Sequence, residues 1–357
     1  MSRLATRLRR RIERDGPMPF CAWMEACLYD PRDGYYMRGG RKTGTGPDAD
    51  FATSPTMHPF LGQAVAREAA ALWRRLGRPA GFRILEYGGG EGDLARDALA
   101  WLDAHEPGLA EKAAWLHVEA SPAHRARQAG PDPRIGQVAG APAGLVGLVV
   151  AHEFLDALPF HWLERRRGAW AAVAVQATDE GFAETTLPAE AGALDAAPQG
   201  AFQEGQRVVA MERVRDWVAT IAAALGAGAV LVVDYGDEGR RLWLPDRPDG
   251  TVRAFRGQRL REDVLADPGG QDITASVDFT LLRQWAAAGG LAEASMESQE
   301  AFLVRQGALD ALNTAPRASL EDASSYLRLR QMVIGHGGGM GRAFRVARYE
   351  KGLEQDA

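Results

Sequence analysis

The chain has 357 residues, 46% hydrophobic and 25% charged, with a formal net charge of −5. That describes an ordinary globular protein, long enough for one large domain or two small ones. No overall basic field points to nucleic acid, and no apolar run approaches the ~20 residues of a membrane span, so neither partner is expected.

Leu4, Leu8 and Ile12 recur at helical spacing among Arg3, Arg7, Arg9, Arg10, Arg11 and Arg14, which predicts a helix over 3–14. Basic amphipathic starts also occur in organelle-targeting peptides. This one lacks their serine richness and runs into a Gly16-Pro17 turn and a second patterned helix (19–28), so an ordinary first helix is expected. Cys21 and Cys27 match no zinc or redox spacing and read as buried thiols of a reducing, cytoplasmic compartment. An irregular stretch around Asp30–Tyr36, a glycine-rich loop (39–50) and a long amphipathic helix (59–76) follow.

An α/β core then begins, with strands at 82–87, 114–119 and 145–151 and helices at 93–105 and 121–128. The first strand ends at Glu86 and turns through Gly88, Gly89, Gly90 and Gly92 into a helix. Such glycines let the chain turn sharply and bring bare backbone up to a nucleotide-like ligand. The dinucleotide pattern G-x-G-x-x-G fails here, because Asp93 stands where its third glycine belongs. Glu86 would also repel a pyrophosphate, whereas it would attract the ammonium and sulfonium of S-adenosyl-L-methionine (SAM). The second strand ends at Glu119, placed to accept hydrogen bonds from two ribose hydroxyls. The strand 145–151 runs into His152, Glu153 and Asp156, expected over the same crevice as Gly88 and Gly90. For Asp156 alone, capping of a short helix at 154–158 is the structural alternative.

Residues 160–187 alternate apolar and polar around Arg167-Gly168 and Asp179-Glu180-Gly181, predicting two hairpin turns. An Ala/Gly/Pro-rich loop (188–205), a helix (208–225) and a buried strand (229–234) come next. The polar stretch 237–275 reads as a lid or binding loop without regular structure. A helix (278–288), a strand (292–298), helices across 303–334 and a last strand near 343–349 complete the sheet. No internal repeat and no metal-ligand spacing is present. The domain reading is a helical extension (1–80), a SAM-binding Rossmann half (81–160), a hairpin insertion (161–205) and the rest of the sheet (206–357).

Seven ordered segments resemble the MidA-type SAM-dependent methyltransferases, which include the mitochondrial complex I assembly methyltransferase. They are Met24 through Tyr36, Asp50 through Pro55, Glu86 through Gly92, Glu119 through Pro122, Glu153 through Pro159, Asp234-Tyr235-Gly236, and Asp272 through Phe279. The resemblance spans nearly the whole chain. It implies a class I methyltransferase fold: a Rossmann-like, mostly parallel sheet with an N-terminal helical extension and an inserted substrate or lid region. It implies SAM as methyl donor, S-adenosyl-L-homocysteine as product, and arginine of a protein as acceptor. Carried onto this chain, it adds Thr53, Ser54 and Ala120 on the cofactor side. On the acceptor side it adds Tyr35, Tyr36, Asp234, Tyr235, Arg253, Asp272 and Asp278.

Three positions depart from the family pattern: His152 replaces asparagine, Gly257-Gln258 replaces histidines, and Ser276 replaces histidine. All fall on the presumed acceptor side. A cationic arginine acceptor calls for carboxylates, here Glu153, Asp156 and Asp278. A hydroxyl or phenol of a small molecule calls instead for a neutral base, for which His152 titrates in range. The alternatives to a protein or peptide arginine are therefore a small-molecule O- or N-methyltransferase using His152, and a non-catalytic SAM-binding assembly factor. A homodimer is compatible with the sequence.

Overall fold

The computed structural model describes residues 2–39, 53–245, 247, 249–257, 259–316, 318–334 and 341–353. The predicted glycine loop beyond Gly39, the signature residues Asp50, Phe51 and Ala52, and Gln258 lie outside the described residues. The chain forms two compact units. A hairpin unit comprises Met1–Lys42, Leu155–Val218 and Gly236–Trp285; a sheet unit comprises Thr43–Phe154, Ala219–Tyr235 and Ala286–Ala357. The contiguous division expected from sequence is thereby revised, and residues 1–80 separate. The helix Arg3–Asp15 buries Leu4, Leu8 and Ile12 in the hairpin unit, where Arg9 donates to the carbonyls of Thr178 and Gly181. The helix Phe60–Arg75 buries Leu61, Val65 and Leu72 in the core of the sheet unit.

The sheet unit is built on β1 (Arg83–Tyr87), β2 (Ala114–Val118), β3 (Ile135–Gln137), β4 (Leu145–His152), β5 (Leu225–Asp237), β6 (Ala292–Ser298) and β7 (Phe344–Lys351). Their order is β6-β7-β5-β4-β1-β2-β3. β1 to β5 pair in parallel, and β7 lies antiparallel between β5 and β6. The direction of strand addition reverses between β1 and β4, so the crevice beyond their carboxyl ends is where such sheets take ligands. Ile84, Leu148, Val150, Leu231 and Val233 on one face, and Leu85, Val149, Val230 and Val232 on the other, are buried, as strands covered on both faces require. Each fully buried side chain of this size contributes about 1.5–3 kcal/mol.

The hairpin unit pairs His161–Arg166, Ala169–Thr178 and Gly181–Pro188 as antiparallel neighbours, with the turns where the sequence predicts them. Arg167 (φ 50°) and Gly168 (φ 76°) both take positive φ, as a two-residue turn matched to right-handed strand twist demands.

Several segments differ from expectation. The predicted helix 208–225 starts only at Glu212, because Arg207–Ala210 is a strand paired with His161–Glu164. The loop 188–205 contains a short helix, Ala191–Asp195. The stretch 237–275 is not without regular structure: it holds a helical turn, Gly239–Leu242, and a three-stranded sheet of Arg259–Arg261, Arg253–Arg256 and Asp272–Thr274. Strands of three or four residues, rich in arginine, are too short for alternation to reveal. β3, three residues long, escapes the sequence reading through its shortness alone.

Close strand packing rests on two glycines. A Cβ on Gly147 (φ 149°) would lie 1.9 Å from the Arg83 carbonyl oxygen, and one on Gly228 (φ 147°) 1.9 Å from that of Gly147. Gly147→Ala should therefore destabilise the protein by about 3 kcal/mol or more, combining overpacking with backbone strain. Gly81→Ala, with nothing within 4 Å of its new Cβ, should be close to neutral in the same thermal melts.

Candidate active site

Strand β1 delivers Glu86 to the base of the glycine turn, and β2 places His117 directly opposite it in the parallel register. Alternation along β2 puts Trp115, His117 and Glu119 on one face. Trp115 Nε1 donates to Glu86 Oε2 at 2.7 Å, and His117 Nδ1 lies 3.4 Å from the same oxygen. Burial pushes the Glu86 carboxyl up to about 8, against the opposing effect of the Trp115 hydrogen bond. Burial likewise pushes His117 down to about 4. At neutral pH the two form a neutral pair under the turn.

The turn rests on that pair. Gly88, Gly90 and Gly92 take φ of 67°, 50° and 78°. A Cβ on Gly89 would sit 2.3 Å from His117 Nδ1, and one on Gly88 2.9 Å from Phe154 Cδ2. Beside Gly90 no atom of the described residues lies within 4 Å of an added Cβ. Gly92, left-handed, then caps the helix Asp93–His105. The bare backbone thus has side chains packed against Gly88 and Gly89 and, among the described residues, none near a Gly90 Cβ, which fits a nucleoside-type ligand.

Glu119 ends the second strand with its side chain largely buried. Oε1 accepts the Ser121 amide at 2.8 Å, and Oε2 accepts Gln128 Nε2 at 3.3 Å with His124 Nδ1 3.7 Å away. Burial alone would raise this carboxyl, but the hydrogen bonds from His124, Ser121 and Gln128 hold it below the ordinary range. Oε1, with the Ser121 amide as its one donor, keeps a lone pair for a further donor such as a hydroxyl. Ala120 is exposed beside it.

At the end of β4, the ring of His152 stacks on Phe344, with centroids 6.3 Å apart, and its Nε2 is 3.2 Å from Glu153 Oε1. Burial drives His152 down to about 3. Glu153 takes a left-handed φ of 48°, and its amide donates to the Val233 carbonyl. A carboxylate-bearing residue in that region is strained by about 1–3 kcal/mol. Asp234, fully buried on β5, accepts the Phe154 amide at 3.2 Å and the Tyr235 amide at 2.8 Å, fixing the corner. Phe154 packs against Tyr87, with ring centroids 5.3 Å apart.

Thr53 and Ser54 stand in the same unit with their side chains engaged. Thr53 forms a capping box with Thr56, and Ser54 Oγ donates to Gln299 Oε1 at 3.2 Å. The remaining candidates belong to the hairpin unit. Residues 154–158 form a turn rather than the short helix considered for Asp156, which is buried, its carbonyl accepting the Ala275 amide. Tyr36 Oη donates to Asp272 Oδ1 at 2.7 Å, with Tyr35 and Tyr29 packed beside the ring. Burial raises the Tyr36 phenol well above its usual value, helped by the charges of Asp272 and Asp156. Arg253 donates to Ser276 Oγ at 2.6 Å, and Gly257 takes φ 54°. Asp278 accepts Trp243 Nε1 at 2.9 Å and the amides of Thr280 and Leu281, so its carboxylate caps the helix Phe279–Ala288. Among the described residues, no group of acidic, histidine or cysteine side chains is arranged to hold a metal ion.

Sequence reasoning missed Trp115, His117, Gln128 and Phe154. The β2 alternation and the Glu86–His117 register could have found the first two; nothing in the sequence marks Gln128.

A doubly wound sheet with a glycine turn after β1, acids at the ends of β1 and β2, and an antiparallel last strand defines a class I SAM-dependent methyltransferase. The chain belongs to this family: a family model of S-adenosyl-L-methionine-dependent methyltransferases matches residues 64–296, more than half of it. It is 30% identical over 336 residues to the mitochondrial protein arginine methyltransferase NDUFAF7 homolog of Drosophila melanogaster, covering 80% of this chain and 70% of that protein. The Bos taurus protein arginine methyltransferase NDUFAF7 is 27% identical, covering 83% and 71%. A Burkholderia thailandensis protein crystallised with S-adenosyl-homocysteine superposes with a TM-score of 0.87 at 29% identity, covering 99% of this chain and 92% of that one.

The Glu86–His117 pair has a measurable consequence. Glu86 ionises more readily unfolded than folded, so its contribution is present below its ordinary pKa and is lost as pH rises through about 8. His117, lowered to about 4, acts oppositely, and its effect is complete above its ordinary value near 6.5. Between pH 6.5 and 8 the Glu86 effect therefore stands alone of the two. The melting temperature of the ligand-free protein should fall across that window, and Glu86→Gln should flatten the fall in differential scanning fluorimetry.

Proposed function

We propose that the methyl acceptor is an arginine side chain of a protein or peptide, with Glu153 as the carboxylate that meets its guanidinium. The observation that carries this reading is the acidic corner at the end of β4: Glu153, strained at φ 48° and followed by Phe154 packed on the glycine turn. The names of the relatives, protein arginine methyltransferases, support it. We read Glu86, the glycines 88–92 and Glu119 as the donor side, with Glu119 taking the ribose hydroxyls. The free, buried thiols of Cys21 and Cys27 support a reducing, cytoplasmic compartment.

SAM supplies an electrophilic methyl on a sulfonium and leaves as S-adenosylhomocysteine. A guanidinium nitrogen that gains the methyl must release a proton. Glu153 holds that nitrogen by a charge-assisted bond, orients it in line, and receives the proton. Asp234 contributes by fixing the backbone that carries Glu153 and Phe154.

The small-molecule reading needs His152 as a base. A ring held near pKa 3 by burial is a poor one, since base strength near the working pH is what general-base catalysis requires. His152→Asn should retain activity within about tenfold, whereas loss of a true general base costs about 10²–10⁴-fold. Glu153→Gln should lower kcat/KM for the acceptor by about 10²–10⁴-fold, the worth of a positioned proton acceptor, with S-adenosylhomocysteine affinity unchanged. The acceptor class is checked by incubating protein extract with methyl-labelled SAM. Label in methylarginine of a protein band supports the reading; label confined to small molecules overturns it.

A further inference from the structure

Gln128 ends the helix Pro122–Gln128, 1% exposed, and touches the glycine turn, Glu119 and β3. Its Nε2 donates to the Gly90 carbonyl at 2.9 Å and to Glu119 Oε2 at 3.3 Å. Its Oε1 accepts from Gln137 Nε2, on β3, at 2.8 Å. Its Cγ also lies 3.4 Å from where a Gly92 Cβ would be. We propose that Gln128, oriented by Gln137, is the positioning residue that locks the glycine turn and the Glu119 carboxylate into one geometry for the SAM ribose. The inference rests on the reading of Glu119 as the ribose acceptor.

Chemistry fixes which way the amide points. Gly90 O and Glu119 Oε2 are both acceptors, so only the NH2 end of Gln128 can face them. The opposite end must then meet a donor, and the Gln137 amide nitrogen provides it. A flipped Gln128 would set its oxygen against two acceptors and its NH2 against another NH2. Gly90 has no Cβ, so without this bond its carbonyl is free to turn. Without the same bond, Glu119 loses one of the donors that keep its carboxylate in place for a diol. Gln128 does not itself need to touch the ligand.

The test is calorimetric titration of S-adenosylhomocysteine and its 2′-deoxy analogue, with SAM kinetics alongside. Gln128→Leu keeps the shape and removes the donors; its Kd for S-adenosylhomocysteine should rise about 10- to 100-fold, the worth of hydrogen bonds to a charged group. KM for SAM should rise with it while kcat at saturation holds, and the preference for the ribose over the 2′-deoxy sugar should shrink. Gln128→Glu, nearly isosteric, should bind weakly at neutral pH and recover as pH falls and the new carboxyl regains a proton. A packing role alone would not show that recovery. Gln137→Glu changes an exposed side chain that touches neither Gly90 nor Glu119 in these bonds. It should nevertheless weaken binding, because it rewards the wrong amide orientation, and it stands as the test should Gln128→Leu fail to fold. Glu119→Ala separates the two layers. Unchanged affinity in that variant overturns the ribose reading itself; lost affinity there, with Gln128→Leu or Gln137→Glu binding as the parent does, overturns the role of Gln128.

Discussion

The glycine turn after β1 depends on one steric constraint, the absence of side chains where it meets its neighbours. Gly89 lies against the His117 ring and Gly88 against Phe154, at distances where a Cβ would be 2.3 Å and 2.9 Å from them. The turn is held between a residue of β2 and the residue that follows the Glu153 corner. Side-chain packing of this kind permits few alternative arrangements, so the backbone is positioned before any ligand arrives. The left-handed Gly92 then starts the next helix at a fixed point.

Beneath and beside that turn, two glutamates at equivalent strand ends have been driven apart by their surroundings. Glu86 is packed among Trp115 and His117 and given one neutral donor, so burial wins and the carboxyl rises to about 8. Glu119 is also buried, but several donors converge on it and the ionised form wins. The ends of two adjacent strands thus carry one fixed anion and one acid close to its titration point.

Much of this was legible in the sequence, and the reasons for the rest are physical. The glycine run, Glu119 and the strand-end acids are local features, and the strand-turn-helix pattern around them has one common structural solution. The hairpin turns were equally plain, because Arg167-Gly168 interrupts a clean alternation. What stayed hidden depends on register and long-range pairing. Gln128 is an unexceptional helix-end glutamine until Gly90, Glu119 and Gln137 are brought around it. Asp278 looked like a ligand for a cation, yet its neighbours Thr280 and Leu281 supply amides that make it a helix cap. The three-stranded sheet within 253–274 is built of segments too short and too rich in arginine to show a period.

The departure at His152 illustrates how a substitution read as chemistry becomes one of packing. From sequence, a histidine in place of asparagine beside an acidic run suggested a base and therefore a different acceptor. In the structure the imidazole is the last residue of β4, buried, and stacked almost parallel to Phe344 of β7. Burial that excludes water also disfavours the charged ring, so the environment that makes His152 a good packing element makes it a poor proton acceptor. Glu153, one residue on, is nearly as buried, but its backbone is strained at φ 48° and Asp234 anchors the amide that follows it. Strain maintained by a dedicated buried carboxylate is better explained by what Glu153 must present than by what the sheet needs. The altered position therefore serves packing between β4 and β7, while the backbone strain falls on the acid that follows it.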